Sequence, residues 1–242
     1  MQKACVVVPC YNEAKRLDFA AFELFLNSEL NIDILFSNDG STDTTKQLLE
    51  NFCSKLPGRA FIYNMPKNGG KAEAVRCGVL EACKNNTYNY VAFWDADLST
   101  PLNEVPIFLK QARDHSKKIA IGSRMKRLGA TVKRRPVRHF LGRIFSTFSS
   151  IILKLPVYDT QCGAKVFSTE LSFLFDDKFI TSWLFDVELI ARYRNKFGVT
   201  SALNDIVEVP VNTWIEKEGS KLKLTDMIKV PMELLAIHRK YN

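Results

Sequence analysis

The sequence predicts an α/β fold: a doubly wound, mixed but mostly parallel sheet with helices on both faces. Three observations carry that prediction. Short, nearly continuous apolar runs alternate with segments of helical apolar spacing through the first half of the 242 residues. The connections between them are short, and each early apolar run ends in a cluster of Asn, Asp, Gly or Ser. Strands covered on both faces read as continuous Val/Ile-rich runs, and strand–helix alternation assembles them in a parallel sheet.

The elements follow in order. "ACVVVP" (4–9) is a buried strand and 13–28 a helix. "IDILFS" (32–37) is the second strand, followed by "NDGSTDTT" and a helix to about residue 56. "RAFIYN" is the third strand, and 69–84 has helical apolar spacing at Ala74, Val75, Val79 and Ala82. "YVAFW" (90–94) is the fourth strand, 102–113 a helix and "KIAIGS" the fifth strand. Beyond these, 137–155 is a strongly apolar amphipathic segment, "CGAKVF" a strand, 182–198 a helix, "IVEVPVNTW" a strand, and a last helix begins near residue 224. No linker-like or repeated tract divides the chain. A single domain over 1–242 is expected, with a nucleotide-binding half (1–123) and a second half (124–242) of different character.

Composition narrows the function classes. Hydrophobic residues make up 46% and charged residues 25%, ordinary for a soluble globular chain. No run approaches the roughly 18 apolar residues of a membrane span, and the N-terminal apolar run is too short for a signal peptide. A cytoplasmic location is therefore expected. The six cysteines show no C-x-x-C pair and the three histidines no H-E-x-x-H, so a zinc site is not expected. The net charge of +8 is concentrated: residues 124–143 hold eight Lys/Arg and no acid. Such a run favours an anionic partner. It lacks interleaved stacking aromatics except Phe140 and contains no known reader motif, so nucleic acid is not the expected partner.

The polar clusters at the strand ends carry the chemistry. They are Pro9, Tyr11, Asn12 and Glu13; Asn38 to Ser41 with Asp43; Asn68, Gly69, Gly70 and Lys71; and Asp95, Ala96 and Asp97. Taken singly, each reads as a turn or helix cap. In a parallel sheet all four converge on the carboxyl edge, where ligands bind. Tyr11 can stack on a base, and Asp39 can accept from a base N–H or a ribose hydroxyl. Read as strand residues, Asp95 and Asp97 point the same way, which suits Mg²⁺ or Mn²⁺ bridging a diphosphate. Neither G-x-x-x-x-G-K nor G-x-G-x-x-G occurs, which argues against a P-loop ATPase or a nicotinamide enzyme.

Together, "VVVPCYNEAKRL", "NDGSTDTT", "NGGKAEAVRCGV", "DADLSTP" and "IGSR" resemble the family 2 glycosyltransferases of GT-A fold. "DTQCGAKVF", "SWLFDVELI" and "VPVNTWIEKEGSKL" are similar to the polyprenyl-phosphate branch, most of all to the dolichyl-phosphate β-glucosyltransferases. That resemblance implies nucleotide contacts at Pro9, Tyr11, Asn12, Glu13 and Asp39, and further donor contacts at Asn68, Lys71 and Ala96. It implies a metal site at Asp95 and Asp97, and Arg124 facing phosphate. Ser220 and Lys221 would lie on a loop closing over the site, and Asp159 and Asp186 near the acceptor. The family's N-terminal anchor is not expected here, and Ala164 stands where the family has phenylalanine.

The expected reaction is inverting transfer of a hexose, most plausibly glucose, from a nucleotide sugar to a polyprenyl phosphate. UDP-glucose is expected to be preferred over GDP-mannose. A saccharide acceptor is the alternative, and it would require Asp159 or Asp186 as base. A lipid acceptor requires an anionic membrane surface, at the cytoplasmic face. Phe140, Leu141, Ile144, Phe145, Phe148, Ile151 and Ile152 recur at helical spacing, flanked by Arg134, Arg135, Arg138 and Arg143. A segment of that kind can lie in a bilayer interface.

Overall fold

The computed structural model describes residues 2–133, 136–217 and 224–241, with side chains described outside 136–139, 141 and 224–228. The chain forms two compact units, residues 1–98 with 164–178 and residues 99–163 with 179–242. They divide at 98/99, and the segment 164–178 returns to the first unit.

The first unit contains β1 (Ala4–Cys10), α1 (Phe19–Ser28), β2 (Ile32–Asn38), α2 (Thr45–Lys55), β3 (Ala60–Asn64), α3 (Lys71–Cys83), β4 (Tyr90–Trp94) and β7 (Ala164–Ser168), followed by a 3₁₀ helix at Thr169–Phe175. Its strands lie in the order β3-β2-β1-β4-β7. The first four are mutually parallel, and β7 runs antiparallel to β4. Side-chain alternation along β2 explains the two covered faces. Phe36 points to one side, edge-on to Phe22 of α1 and Phe52 of α2. Ser37 points to the other, where its hydroxyl donates to the Ala74 carbonyl of α3 at 2.7 Å. There α3 approaches so closely that a Cβ on Gly78 would lie 2.5 Å from Val7 Cγ1. A residue larger than glycine would push the helix off the sheet.

The order 3-2-1-4 reverses direction between β1 and β4. Such a switch point opens a crevice at the carboxyl edge of the strands. The strand ends bearing Tyr11 to Glu13 and Asp95 to Asp97 therefore adjoin.

The second unit contains α4 (Val105–Asp114) after a 3₁₀ turn (Leu102–Glu104), β5 (Ile119–Ser123), β6 (Thr131–Lys133), α5 (Pro136–Leu153), α6 (Phe185–Asp205), β8 (Ile206–Pro210), β9 (Thr213–Ile215) and α7 (Leu224–Tyr241). Strands β5 and β8 pair in parallel, as do β6 and β9. Helix α4 packs on β5 and β8, and α5, α6 and α7 pack on one another.

Three expectations are corrected. The helix foreseen from residue 13 starts at Phe19. Asp18 caps it by accepting the Ala21 N–H at 3.0 Å, and residues 13–17 form a turn in which Glu13 O accepts the N–H groups of Arg16 and Leu17. The strand foreseen over 206–214 is two strands, β8 and β9, separated at 211–212. Finally, Asp95 and Asp97 are not strand residues: β4 ends at Trp94, and the Leu98 N–H closes a turn on the Asp95 carbonyl at 3.1 Å. Strand alternation therefore does not set the direction of the two carboxylates.

Candidate active site

In the first unit the four clusters are joined in a closed circuit. Asn12, at φ +52°, links β1 to the loop after β2. Its backbone N–H donates to Ser41 Oγ at 3.1 Å, and its Oδ1 accepts the Thr42 N–H at 2.8 Å. Asparagine tolerates this left-handed conformation better than most residues. The Glu13 N–H donates to Thr45 Oγ1 at 2.9 Å, tying the same turn to α2.

The loop after β2 is linked in turn to the start of α3. Asp39 is 2% exposed and accepts the N–H groups of Gly69 (2.6 Å) and Gly70 (2.9 Å) and the Asn68 amide (2.9 Å). Gly70 holds φ +87°, a conformation that favours glycine. Burial pushes the Asp39 carboxyl above the usual carboxylate range, against the pull of the two glycine N–H groups. Asp39 thus orders the loop that presents Asn68 and Lys71.

Two ion pairs complete the circuit. Lys71 Nζ lies 2.5 Å from Asp95 Oδ1. Arg16 bridges Asp97 Oδ2 and Glu13 Oε2, each at 3.5 Å. The Asp95 and Asp97 side chains are 34% and 27% exposed, so solutes can reach both. Ala96 between them is buried, and Pro9 and Tyr11 are half-buried at the end of β1.

The second unit holds a different carboxylate cluster. Asp159 Oδ2 accepts the Arg124 N–H (3.1 Å) and Nε (2.7 Å), while Oδ1 accepts Arg124 Nη2 (2.9 Å) and the Gln161 N–H (3.0 Å). A carboxylate has about four lone-pair sites, and all four are used. The Arg124 guanidinium also lies over the Trp214 ring, 5.3 Å from its centroid. Behind Asp159, Glu208 of β8 accepts the N–H groups of Tyr158 (2.9 Å) and Asp159 (2.6 Å). Burial pushes the Glu208 carboxyl up, and those two N–H groups oppose the rise. Asp186 sits in the first turn of α6 and is 4% exposed, so it is not a surface acid of that helix.

Residues 5–173 match the family described as Glycosyl transferase family 2. The chain is a family 2 glycosyltransferase. It is 33% identical over 245 residues to a dolichyl-phosphate beta-glucosyltransferase of Trichomonas vaginalis, covering 96% of this chain and 69% of that protein. Identity to the dolichyl-phosphate beta-glucosyltransferase of Saccharomyces cerevisiae is 31% over 259 residues, covering 98% and 74%. Among solved structures, glucosyl-3-phosphoglycerate synthase from Mycobacterium tuberculosis, in complex with Mn²⁺, UDP and glucosyl-3-phosphoglycerate, superposes with a TM-score of 0.68 at 18% identity. That match covers 98% of this chain and 78% of the other. The likeness is one of fold, and the fold is the GT-A type that the motifs implied.

In this glycosyltransferase the structure gathers Asn12, Glu13, Asp39, Asn68, Lys71, Asp95 and Asp97 at one sheet edge. Arg124, Asp159 and Asp186 belong to the second unit. Ser220 and Lys221 lie outside the described residues. Sequence reading passed over Arg16, Glu208 and Trp214. Arg16 stands within "YNEAKRL" but was absorbed into a helix that begins later. Glu208 and Trp214 lay inside a single expected strand, where a lone acid and a lone aromatic attract no notice.

Proposed function

We propose that this glycosyltransferase transfers glucose, with inversion, from UDP-glucose to the phosphate of a polyprenyl phosphate. We assign Asp95 and Asp97 to a Mg²⁺ or Mn²⁺ ion. One observation carries the reading: two accessible carboxylates at the switch-point edge, each balanced by a side-chain cation on a long stem. Among the described residues no three His, Cys, Asp or Glu form a ready metal cage. The donor set fits a hard cation held by one or two carboxylates plus phosphate oxygens. When bound, such an ion offsets the charge that develops on the departing diphosphate.

The chain's own groups supply the rest. Lys71, released from Asp95, is an ammonium available to phosphate, and Arg124 is assigned to phosphate as well. Tyr11 stacks on the base. Asp39 keeps the Asn68–Lys71 loop in place. A phosphate monoester is already largely dianionic at pH 7, with a second pKa of about 6, so it needs no protein base to attack the anomeric carbon. The fourfold use of the Asp159 carboxylate agrees with that: it has no lone-pair site left to take a proton.

The relatives' names and the UDP and Mn²⁺ in the mycobacterial complex support the donor, the acceptor and the metal. Support for a membrane surface comes from α5. Phe140, Ile144, Phe148 and Ile151 are spaced as one helical face and are 66%, 43%, 55% and 65% exposed. No helix among the described residues is long and apolar enough to cross a membrane. The flanking bases divide. Arg143 turns inward, with its Nη1 on the Tyr158 carbonyl at 2.9 Å. Lys126, Arg127 and Lys133 are exposed, whereas Arg134 and Arg135 and the side chains of Arg138 and Leu141 lie outside the description. We assign this face to the cytoplasmic leaflet, where each base near anionic lipid contributes on the order of 1 kcal/mol.

The test combines labelled UDP-glucose or GDP-mannose, Mn²⁺ and polyprenyl phosphate with organic extraction. Label should enter the organic phase from UDP-glucose and not from GDP-mannose. In flotation, Phe148→Asp should lower binding to anionic liposomes. Label confined to a water-soluble saccharide would overturn the lipid acceptor.

A further inference from the structure

We infer that Glu208 is a positioning residue that aims Arg124 by holding the backbone on which Asp159 is carried. The inference rests on the phosphate role assigned to Arg124 above.

The connection is a chain of short contacts within the second unit. Glu208 Oε2 accepts the Tyr158 N–H at 2.9 Å, and Oε1 accepts the Asp159 N–H at 2.6 Å. The carboxylate thus straddles two successive peptide N–H groups in a segment that follows α5 and is neither helix nor strand. Backbone donors in such a segment have no ladder to satisfy them, and a buried unpaired N–H is costly. Two acceptor oxygens on one rigid group fix both donors and therefore the direction in which Asp159 leaves the chain. Asp159 then grips Arg124 by the backbone N–H, Nε and Nη2, a bidentate geometry that permits little play. The Trp214 ring supports the guanidinium.

Strand register anchors the far end. Glu208 pairs with Ile121 and Pro210 with Ser123, so Glu208 stands on the strand beside β5, whose last residue, Ser123, directly precedes Arg124. One rigid ladder carries both the guanidinium's backbone and the carboxylate that controls its partner.

Only a carboxylate serves two adjacent N–H donors. Glutamine offers one carbonyl oxygen and turns its amide donors toward the second N–H. Glu208→Gln therefore keeps the size of the side chain and loses the grip. Glu208→Asp keeps the charge and shortens the reach, and serves as a second variant should the first fold poorly.

Two measurements decide the matter. The first is hydrogen exchange of the Arg124 Nε–H, followed by nitrogen-resolved NMR and assigned by loss of the signal in Arg124→Lys. The wild-type proton, held on Asp159 at 2.7 Å, should exchange slowly, and Glu208→Gln should speed its exchange at least tenfold. The second is a double-mutant cycle on turnover. Glu208→Gln and Arg124→Ala should each lower kcat by about ten- to a hundredfold, and the double variant should be no worse than Arg124→Ala. Unchanged exchange in Glu208→Gln, or losses that multiply in the double variant, would overturn the inference. Undiminished turnover in Arg124→Ala would instead remove the phosphate role of Arg124, and the exchange rates would still decide whether Glu208 holds it.

Discussion

The acids at the end of β4 and the acids beside β8 are the same chemical group in opposite circumstances. Asp95 and Asp97 stand in a turn, about a third exposed, each facing a side-chain cation. Asp159 and Glu208 are held by backbone N–H groups and a bidentate arginine. A carboxylate facing a flexible, hydrated cation gives that partner up for a small cost. One held by several hydrogen bonds in a largely buried network does not. The first pair is therefore suited to exchange its partners during a reaction cycle, and the second to hold geometry through it.

The largest expected effect tests the exchangeable pair. Asp97→Ala should lower metal-dependent transfer by at least a thousandfold, because it removes half of the proposed metal donor set, and losses of several kcal/mol in transition-state stabilisation are typical of such charges. The fold should survive, since Asp97 is partly exposed and its ion pair with Arg16 is long and open to solvent. Calorimetry should show Mn²⁺ binding lost and the melting temperature within a few degrees of wild type. Metal-dependent turnover at wild-type rates would falsify the assignment.

Asp159→Asn comes next, and it should break the other way. The substitution removes a charge that neutralises Arg124 and turns an amide donor toward the guanidinium. Removing one partner of a buried ion pair costs about 3–5 kcal/mol. Chemical denaturation should show a loss of that order, with UDP binding by the first unit retained. A stability loss below about 1 kcal/mol would mean that the cluster is no more fixed than Asp97.

The two regions also differ in how legible they were. The exchangeable set was readable because parallel strands deliver their ends to one edge, and strand–helix alternation makes the strands parallel. Asn12, Asp39, Lys71 and Asp95 follow from that rule alone. Their directions were not readable: the turn at 95–98 and the N-cap at Asp18 depend on local hydrogen bonds, and a helix begun six residues too early hid Arg16. The fixed set was half-readable. Motif resemblance singled out Arg124 and Asp159, but the partnership of Glu208 with residues 158 and 159 spans about fifty positions and leaves no periodicity. The two-unit division was also hidden, because the return of 164–178 beside β4 is a matter of pairing partners rather than of composition.

The smallest expected effect sharpens the comparison most. If Arg16 is a replaceable counter-ion, it competes with a divalent cation for Asp97, and removing it should favour the cation. The Arg16–Asp97 contact is 3.5 Å, with each side chain 27% exposed. A pair of that kind is worth at most about 1 kcal/mol, which limits the gain to about fivefold. Arg16→Gln should accordingly bind Mn²⁺ about two- to fivefold more tightly than wild type when no nucleotide is present. The difference should shrink as salt rises, because added ions screen an exposed pair. Isothermal titration at low and high salt reads both effects without any turnover. Weaker Mn²⁺ binding in the variant would reverse the picture: Arg16 would then be a support that orders Asp97 and Glu13 for the metal, and the acids at the end of β4 would be as fixed as those beside β8.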